Sequence, residues 1–156
     1  MHRMIQVRPA VPTDAPAWLR MRCTFWLDGS ESEHADEINA FFAGRSREPL
    51  HVLLAFDNSG TAVGLAELSI RKYAEGCVTD RVAYLEGWYV VPESRRRGVG
   101  RALVSAAEEW ARAQGCAEFA SDALLDNDVS AAAHRASGFE ETVQIRCFRK
   151  VLGPGE

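Results

Sequence analysis

The stretch that decides the fold is residues 84–103, YLEGWYVVPESRRRGVGRAL. Its near-continuous apolar beginning predicts a buried strand, and its end predicts an amphipathic helix. A basic turn containing Gly98 and Gly100 lies between them. Backbone N–H groups in such a turn, backed by a helix N-terminus, form a binding site for phosphate or pyrophosphate. The stretch therefore predicts an anionic cofactor and places its phosphates at the turn.

Composition limits the classes of protein that the chain can belong to. With 156 residues, 47% apolar and 26% charged, it is typical of one soluble globular domain. We predict a single domain over residues 1–152 and a frayed tail over 153–156. The formal charge of −4 disfavours a nucleic-acid partner. The four scattered cysteines predict neither a zinc site nor a disulfide framework, and no segment is typical of a signal peptide or a membrane span. The expected location is the cytoplasm.

Hydrophobic periodicity and turn residues predict a mixed α/β (α+β) domain around one sheet. The predicted strands cover residues 4–9, 51–56, 61–71, 83–91, 117–121 and the last strands within 139–151. The predicted helices begin at Thr13 or Asp14, cover residues 32–42 and 98–114, and run from Asn127 or Asp128 to 137.

The order of strand, Arg95-x-x-Gly98-x-Gly100, long helix, strand, helix and Gly138-Phe139 resembles the GCN5-related N-acetyltransferase (GNAT) superfamily. The resemblance implies a mixed central sheet of about six to seven strands flanked by about four helices. It also implies that acetyl-CoA binds with its pyrophosphate at the basic turn and its pantetheine arm along the preceding strand, with no metal.

Further segments, distributed from the first helix to the last strands, are similar to the aminoglycoside 6'-N-acetyltransferases. They are Phe25-Trp26, Ile70-Arg71-x-Tyr73-x-x-Gly76-Cys77, Tyr84-Leu85-Glu86-Gly87, Ala120-Ser121-Asp122 and Gly138-Phe139-Glu140-Glu141-Thr142. This similarity implies acetyl transfer to the 6'-amine of a polycationic aminoglycoside, antibiotic resistance, and a homodimer whose contacts could include the last strands.

The resemblance also assigns site residues. Those expected to contact acetyl-CoA are Trp88, Tyr89, Val90, Arg95, Arg96, Arg97, Gly98, Val99, Gly100, Arg101 and Asn127. Those expected to contact the aminoglycoside are Trp26, Tyr73, Glu86 and Asp122. Backbone amides near Trp88 and Tyr89 are expected to polarise the thioester carbonyl, as an oxyanion hole does.

Each residue expected to contact the aminoglycoside also has an interpretation in which its role is only structural. Glu86 interrupts an apolar strand, so it either pairs with an arginine or faces the acceptor amine as an anchor and base. Asp122 follows a short strand and is interpreted as a substrate contact, whereas Asp128 suits helix capping. Trp26 and Tyr73 are either core residues or aromatic walls for sugar rings and cations.

His134 lies where many members of the superfamily carry a tyrosine that protonates the departing thiolate. It is therefore a candidate catalytic acid, although it could instead bond to the cofactor or to the backbone. No cysteine has a visible general base, so direct attack in a ternary complex is favoured over an acetyl-cysteine intermediate.

Two other functions remain open from the sequence. One is acetylation of another amine, such as a polyamine or a protein N-terminus. The other is a non-enzymatic module that senses acyl-CoA or binds a protein, which would keep the turn but need neither Glu86 nor Asp122.

Overall fold

The computed structural model describes residues 4–155. The strands are β1 (Gln6–Pro9), β2 (His51–Phe56), β3 (Ala62–Arg71), β4 (Val82–Val90) and β5 (Glu118–Ser121). The α-helices are α1 (Ala15–Phe25), α2 (Glu31–Phe42), α3 (Val99–Ala113) and α4 (Asp128–Ala136). Short 3-10 turns, Pro12–Asp14 and Pro92–Ser94, precede α1 and the basic turn.

All five strands form one mixed sheet in the order β1-β2-β3-β4-β5. The first four strands pair antiparallel, and β5 pairs parallel with β4. The predicted mixed class and the buried strand at the start of residues 84–103 are therefore correct. The expected six to seven strands are too many, because the described residues contain five.

Both faces of the sheet are covered, which explains why β2 reads as a continuous apolar run. Leu53 and Ala55 pack with α3, whereas Val52 and Leu54 pack with α1 and α2. Successive side chains of a strand point to opposite faces, so a strand between two helical layers is apolar at every position. The sheet is therefore the middle layer of a three-layer domain.

The amphipathic character of α3 fixes it on the sheet. Its buried residues recur at three- to four-residue spacing, as a single apolar stripe requires. They are Val99, Leu103, Val104, Ala107 and Ala111. This packing sets the direction in which the helix N-terminus and the preceding basic turn face.

The prediction of last strands within 139–151 is wrong. No residue from Phe139 to Gly155 is in a strand, and nearly all of this segment is exposed. A strand needs a neighbour to receive its backbone hydrogen bonds, and within the described residues no strand of the sheet pairs with this segment. The tail predicted at 153–156 has no regular structure through Gly155, and Glu156 lies outside the described residues.

Two cap predictions are resolved by the structure. Asp14 is the N-cap of α1, but its carboxylate bonds to Arg8 and to the Val11 N–H instead of capping the helix. Asn127 is the N-cap of α4, and its side chain accepts a hydrogen bond from the Ser130 N–H. Asn127 therefore caps α4, and Asp128, which was predicted to suit capping, is the first residue of the helix.

Candidate active site

The site begins where β4 separates from its neighbour. β5 pairs only with Val82–Leu85, while β4 continues to Val90. At this point β4 also carries a bulge, because Glu67 opposes Gly87 and Leu68 opposes Leu85, which leaves Glu86 as the extra residue. A bulge redirects a side chain and breaks the ladder locally. Residues 86–90 consequently present a backbone edge that β5 does not cover.

The basic turn follows directly after this free edge. Arg96 and Gly98 both have left-handed backbone conformations, with φ of 62° and 83°. No side chain caps the N-terminus of α3, so its first N–H groups remain available. Alternation of left- and right-handed residues turns backbone N–H groups toward one concavity, which suits an anion. Nothing lies within 4 Å of a β-carbon placed on Gly98, so the space beside the turn is open.

Trp88 braces the start of α3. Its indole Nε1 donates to the Gly100 carbonyl at 3.2 Å, and a β-carbon on Gly100 would lie 3.1 Å from the ring. Tyr89 is half-buried beside Arg95, whose guanidinium also donates to the Val90 carbonyl at 2.8 Å. These contacts hold the turn against the end of β4.

His134 is fixed by hydrogen bonds at both ring nitrogens. Its Nδ1 lies 2.7 Å from the Ser130 carbonyl oxygen, which can only accept, so Nδ1 carries a proton. Its Nε2 lies 2.8 Å from Ser121 Oγ, and the ring meets Trp88 edge-on at 5.0 Å. A neutral His134 therefore accepts at Nε2, and proton donation from that nitrogen requires the imidazolium.

Glu86 is ion-paired on the face of the sheet against which α1 packs. Its Oε1 accepts from Arg71 Nη2 at 2.6 Å, and its Oε2 accepts from Arg71 Nε at 3.0 Å and from Ser69 Oγ. The arginine pairing considered for Glu86 is thus present, and the pair raises the pKa of Arg71, chiefly through these hydrogen bonds.

Asp122 is joined to the same cluster through Tyr84. The Tyr84 hydroxyl donates to Asp122 Oδ2 at 2.6 Å, and the Arg71 guanidinium carbon lies 3.6 Å from the centre of the Tyr84 ring. Burial, together with the nearby Asp122 carboxylate, raises the pKa of the Tyr84 hydroxyl. Glu86 and Asp122, the two carboxylates expected to contact the aminoglycoside, are therefore connected through Arg71 and Tyr84. Tyr84, Asp122 and His134 help to line the cleft beside them.

The two aromatic candidates differ in placement. Trp26 lies over the bulge, since a β-carbon on Gly87 would be 2.9 Å from its ring, and Arg22 lies 4.8 Å from the ring centre. Tyr73 follows the end of β3 and is 67% exposed. No hydrogen bond, ion pair or ring contact links Tyr73 to the cluster in the described part of the chain.

The sequence interpretation gave no role to Ser69 or Arg71. A signal for them exists, because Glu67, Ser69 and Arg71 occupy alternate positions of an otherwise apolar strand and so share one face. Glu67 continues this row into the core, where it accepts from Trp18 Nε1 at 2.9 Å and from Arg22 Nε at 3.0 Å. The polar row of β3 thus links the α1 layer to the Glu86 bulge.

Residues 4–155 hold no group of three or more histidine, cysteine or acidic side chains placed to bind a metal ion. Among the helices of this range, none combines the length and apolar character needed to cross a membrane. Cys23, Cys77, Cys116 and Cys147 are free thiols.

Comparison with known proteins decides the family. Residues 15–139 match the acetyltransferase (GNAT) family, a segment that runs from the start of α1 to Gly138-Phe139. The chain belongs to this family. As a GNAT protein it has the expected fold, with β4, the basic turn and α3 in the positions that the resemblance implied.

Three relatives are similar to this GNAT protein over nearly its full length. An aminoglycoside N(6')-acetyltransferase type 1 from Klebsiella aerogenes is 57% identical over 94% of this chain and 96% of its own. An aminoglycoside antibiotic 6'-N-acetyltransferase from Acinetobacter baumannii, known from a crystal structure, is 38% identical with a TM-score of 0.87. The match covers 96% of this chain and 100% of the other. A related 6'-N-acetyltransferase, solved with the bisubstrate analogue CoA-S-monomethyl-acetylneamine, is 31% identical with a TM-score of 0.87. The match covers 96% of this chain and 99% of the other.

Proposed function

We propose that this GNAT protein is an acetyl-CoA-dependent aminoglycoside 6'-N-acetyltransferase. The observation that carries the proposal is the path of β4. This strand places Glu86 at a bulge and, within a few residues, delivers the chain to an anion-binding turn. Donor and acceptor sites therefore adjoin along one strand, as direct transfer between two bound substrates requires.

The donor side suits a pyrophosphate-containing cosubstrate. The left-handed residues Arg96 and Gly98, the uncapped start of α3 and the flanking arginines offer backbone and side-chain donors to one anion. The free edge of residues 86–90 offers backbone hydrogen bonds to an extended pantetheine arm. When bound there, acetyl-CoA would supply an acetyl thioester, already activated for attack by an amine.

The acceptor side suits a polycation. Glu86 and Asp122 contribute two carboxylates, whereas Arg71 contributes one compensating positive charge. Trp26 adds an aromatic wall over the bulge, and Tyr73 is a second aromatic group at the exposed end of β3. Carboxylates and aromatic faces are the groups that bind ammonium-bearing sugars.

The reacting groups have distinct tasks in this proposal. Glu86 orients the 6'-ammonium and accepts its proton, directly or through water, before the nitrogen attacks. Backbone N–H groups near Trp88 and Tyr89 stabilise negative charge on the carbonyl oxygen. His134 supports the wall of the site through Ser121 and Trp88, and could protonate a thiolate only from its imidazolium form.

Thiol release from acetyl-CoA tests the function. We expect turnover with kanamycin and tobramycin, and much slower turnover with spermidine or a peptide N-terminus. Mass spectrometry and NMR of the product should place the acetyl group on the 6'-nitrogen. Turnover only with spermidine or the peptide would replace the proposed acceptor, and tight acetyl-CoA binding without any turnover would favour the sensing module.

We further propose a homodimer that acts in the cytoplasm and gives resistance to aminoglycosides. The support for the dimer is the exposed apolar side chains of the unpaired C-terminal segment, namely Val143, Ile145, Phe148, Val151 and Leu152. Such side chains are typical of an interaction surface. Light scattering should give twice the chain mass, and truncation after Thr142 should give the monomer. The four free thiols support a reducing compartment.

A further inference from the structure

Arg71 makes the contacts that a substrate ammonium would need. Its guanidinium forms a forked pair with Glu86 at 2.6 and 3.0 Å, and it lies 3.6 Å from the centre of the Tyr84 ring. A carboxylate on one side and an aromatic face on the other is the usual environment of a bound ammonium group. The place best suited to the acceptor cation thus already holds a cation of the protein.

The hydrogen bonds of Glu86 strengthen this point. Arg71 occupies both carboxylate oxygens, and Ser69 adds a third hydrogen bond to Oε2. Among the described residues that bond to the Glu86 carboxylate, Arg71 is charged and the buried Ser69 is neutral. A second cation at the same two oxygens would meet the charge of the guanidinium at close range, so full pairing with Glu86 requires Arg71 to leave.

The structure gives Arg71 room to leave. The Arg71 side chain is 35% exposed, whereas that of Glu86 is 14% exposed, so the guanidinium lies on the open side of the pair. Arg71 is the last residue of β3, where the strand passes into a loop. Glu48, an exposed residue before β2, makes a small electrostatic contribution to the raised pKa of Arg71.

We propose that Arg71 is a resident cation of the acceptor site, which holds the ammonium position between Glu86 and Tyr84 until a cationic acceptor displaces it. This proposal rests on the proposed function and adds a specificity-determining residue to it. Displacement exposes Glu86 for the proton transfer assigned to it above. Displacement of Arg71 also makes the site selective for polycations. The exchange at Glu86 reduces the favourable binding free energy, and an acceptor with several ammonium groups compensates for this loss through Asp122 and other contacts.

Steady-state kinetics with kanamycin and with 6-amino-6-deoxyglucose, a sugar with one ammonium, tests the proposal. In Arg71→Gln the resident cation is absent, so KM for both acceptors should fall about threefold to tenfold, with the larger fall for the monocation. Arg71→Lys keeps the charge but not the forked pair, so its KM should fall between those of the wild type and Arg71→Gln. Arg112→Gln, which removes an exposed ion-paired arginine on α3, should leave both KM values within twofold.

The opposite result assigns Arg71 a different role. A higher KM together with a lower kcat in both Arg71 variants would make Arg71 a positioning residue for Glu86 and would overturn displacement, as would an unchanged KM. An unchanged KM in Arg71→Lys with a lower KM in Arg71→Gln would also overturn it, in favour of a general charge effect. These outcomes leave the proposed function intact, whereas a wild-type enzyme that acetylates no aminoglycoside overturns both proposals.

A second measurement needs no variant. A crystal structure of the wild-type protein with CoA and kanamycin should show Arg71 Nη2 more than about 4 Å from Glu86 Oε1, with an ammonium nitrogen in its place. An intact Arg71–Glu86 pair in that complex overturns the proposal even if the Arg71 variants do not fold.

Discussion

The indole of Trp26 lies directly against Gly87, so that a β-carbon on this glycine would be 2.9 Å from Trp26 Cη2 and 3.1 Å from Cζ2. Gly87 follows Glu86 in the β4 bulge, and it therefore lets an aromatic side chain at the end of α1 approach the carboxylate expected to bind the acceptor. Gly87→Ala should push the indole away, at a cost of about 1–3 kcal/mol in overpacking. We expect KM for kanamycin to rise several-fold, while the Kd for CoA stays within twofold.

Gly153→Ala is the matched control for this change, because a β-carbon there meets nothing within 4 Å. An unchanged KM in Gly87→Ala, with stability also unchanged, would show that Trp26 is not a wall of the acceptor site.

The basic turn should depend on Gly98 for anion binding and not only for its backbone conformation. Gly98→Ala strains a left-handed position, at about 1–2 kcal/mol, and puts a methyl group into the open space beside the turn. Loss of one hydrogen bond to a charged group costs about 1.5 kcal/mol or more, so calorimetry should show CoA binding weakened roughly tenfold.

Gly115→Ala separates strain from binding. Gly115 has φ of 80° and equally open surroundings, but it lies beyond the far end of α3. Both variants should lose similar stability, and only Gly98→Ala should lose CoA affinity. Equal CoA affinity in the two variants would argue against the turn as the phosphate site.

His134 should matter more for structure than for proton transfer. His134→Ala removes the hydrogen bonds to Ser121 and to the Ser130 carbonyl, so the melting temperature should fall. Because neutral His134 accepts at Nε2, we expect kcat at saturating substrates to remain within about threefold, since a thiolate leaves without a dedicated acid. A fall in kcat on the order of a hundredfold or more, as loss of a general acid produces, would restore the catalytic role.

The buried pair of Arg22 and Glu67 should be costly to break. Arg22→Met leaves the Glu67 carboxylate buried with only the Trp18 hydrogen bond, and breaking such a pair costs about 3–5 kcal/mol. Urea denaturation should report this loss, and Glu67→Gln should cost less because its amide still accepts from Trp18. Arg112→Met, at an exposed pair with Glu108, should change the free energy of unfolding by less than about 1 kcal/mol.

Asp14 should make stability depend on pH. The hydrogen bond from Arg8, followed by that from the Val11 N–H, lowers the pKa of Asp14 in the folded chain. A carboxylate with a lowered pKa stabilises the fold above its unfolded pKa of about 3.9, and this contribution is lost as the pH falls through the folded pKa.

Asp14→Asn should therefore reduce the free energy of unfolding by about 1 kcal/mol at pH 7, and the difference from wild type should shrink below pH ~4. Asp36→Asn, at an exposed position on α2, controls for the loss of one negative charge. If the difference in unfolding free energy between wild type and Asp14→Asn stays constant down to pH ~2, the Asp14 carboxylate is not its source.

The sequence by itself determined the order of the helices and strands as far as α4, the mixed class and the position of the basic glycine turn between β4 and α3. These features follow from local rules, since apolar periodicity and the spacing of Gly98 and Gly100 depend on neighbours along the chain. The order of elements also predicted the family, which the match over residues 15–139 confirmed. Glu86 and Asp122 are recognisable as candidates in the sequence because carboxylates in or beside apolar strands need a partner or a ligand.

Tertiary structure alone decided which residues face one another. The β4 bulge aligns Glu86 with Arg71 and Ser69, and only the parallel pairing of β5 brings Asp122 to the Tyr84 hydroxyl, 38 positions away along the chain. The prediction of strands within 139–151 failed for the same reason, because strand pairing also depends on tertiary structure. A strand forms only where another backbone accepts its hydrogen bonds, and the alternating residues after Phe139 do not show whether such a partner exists within the chain.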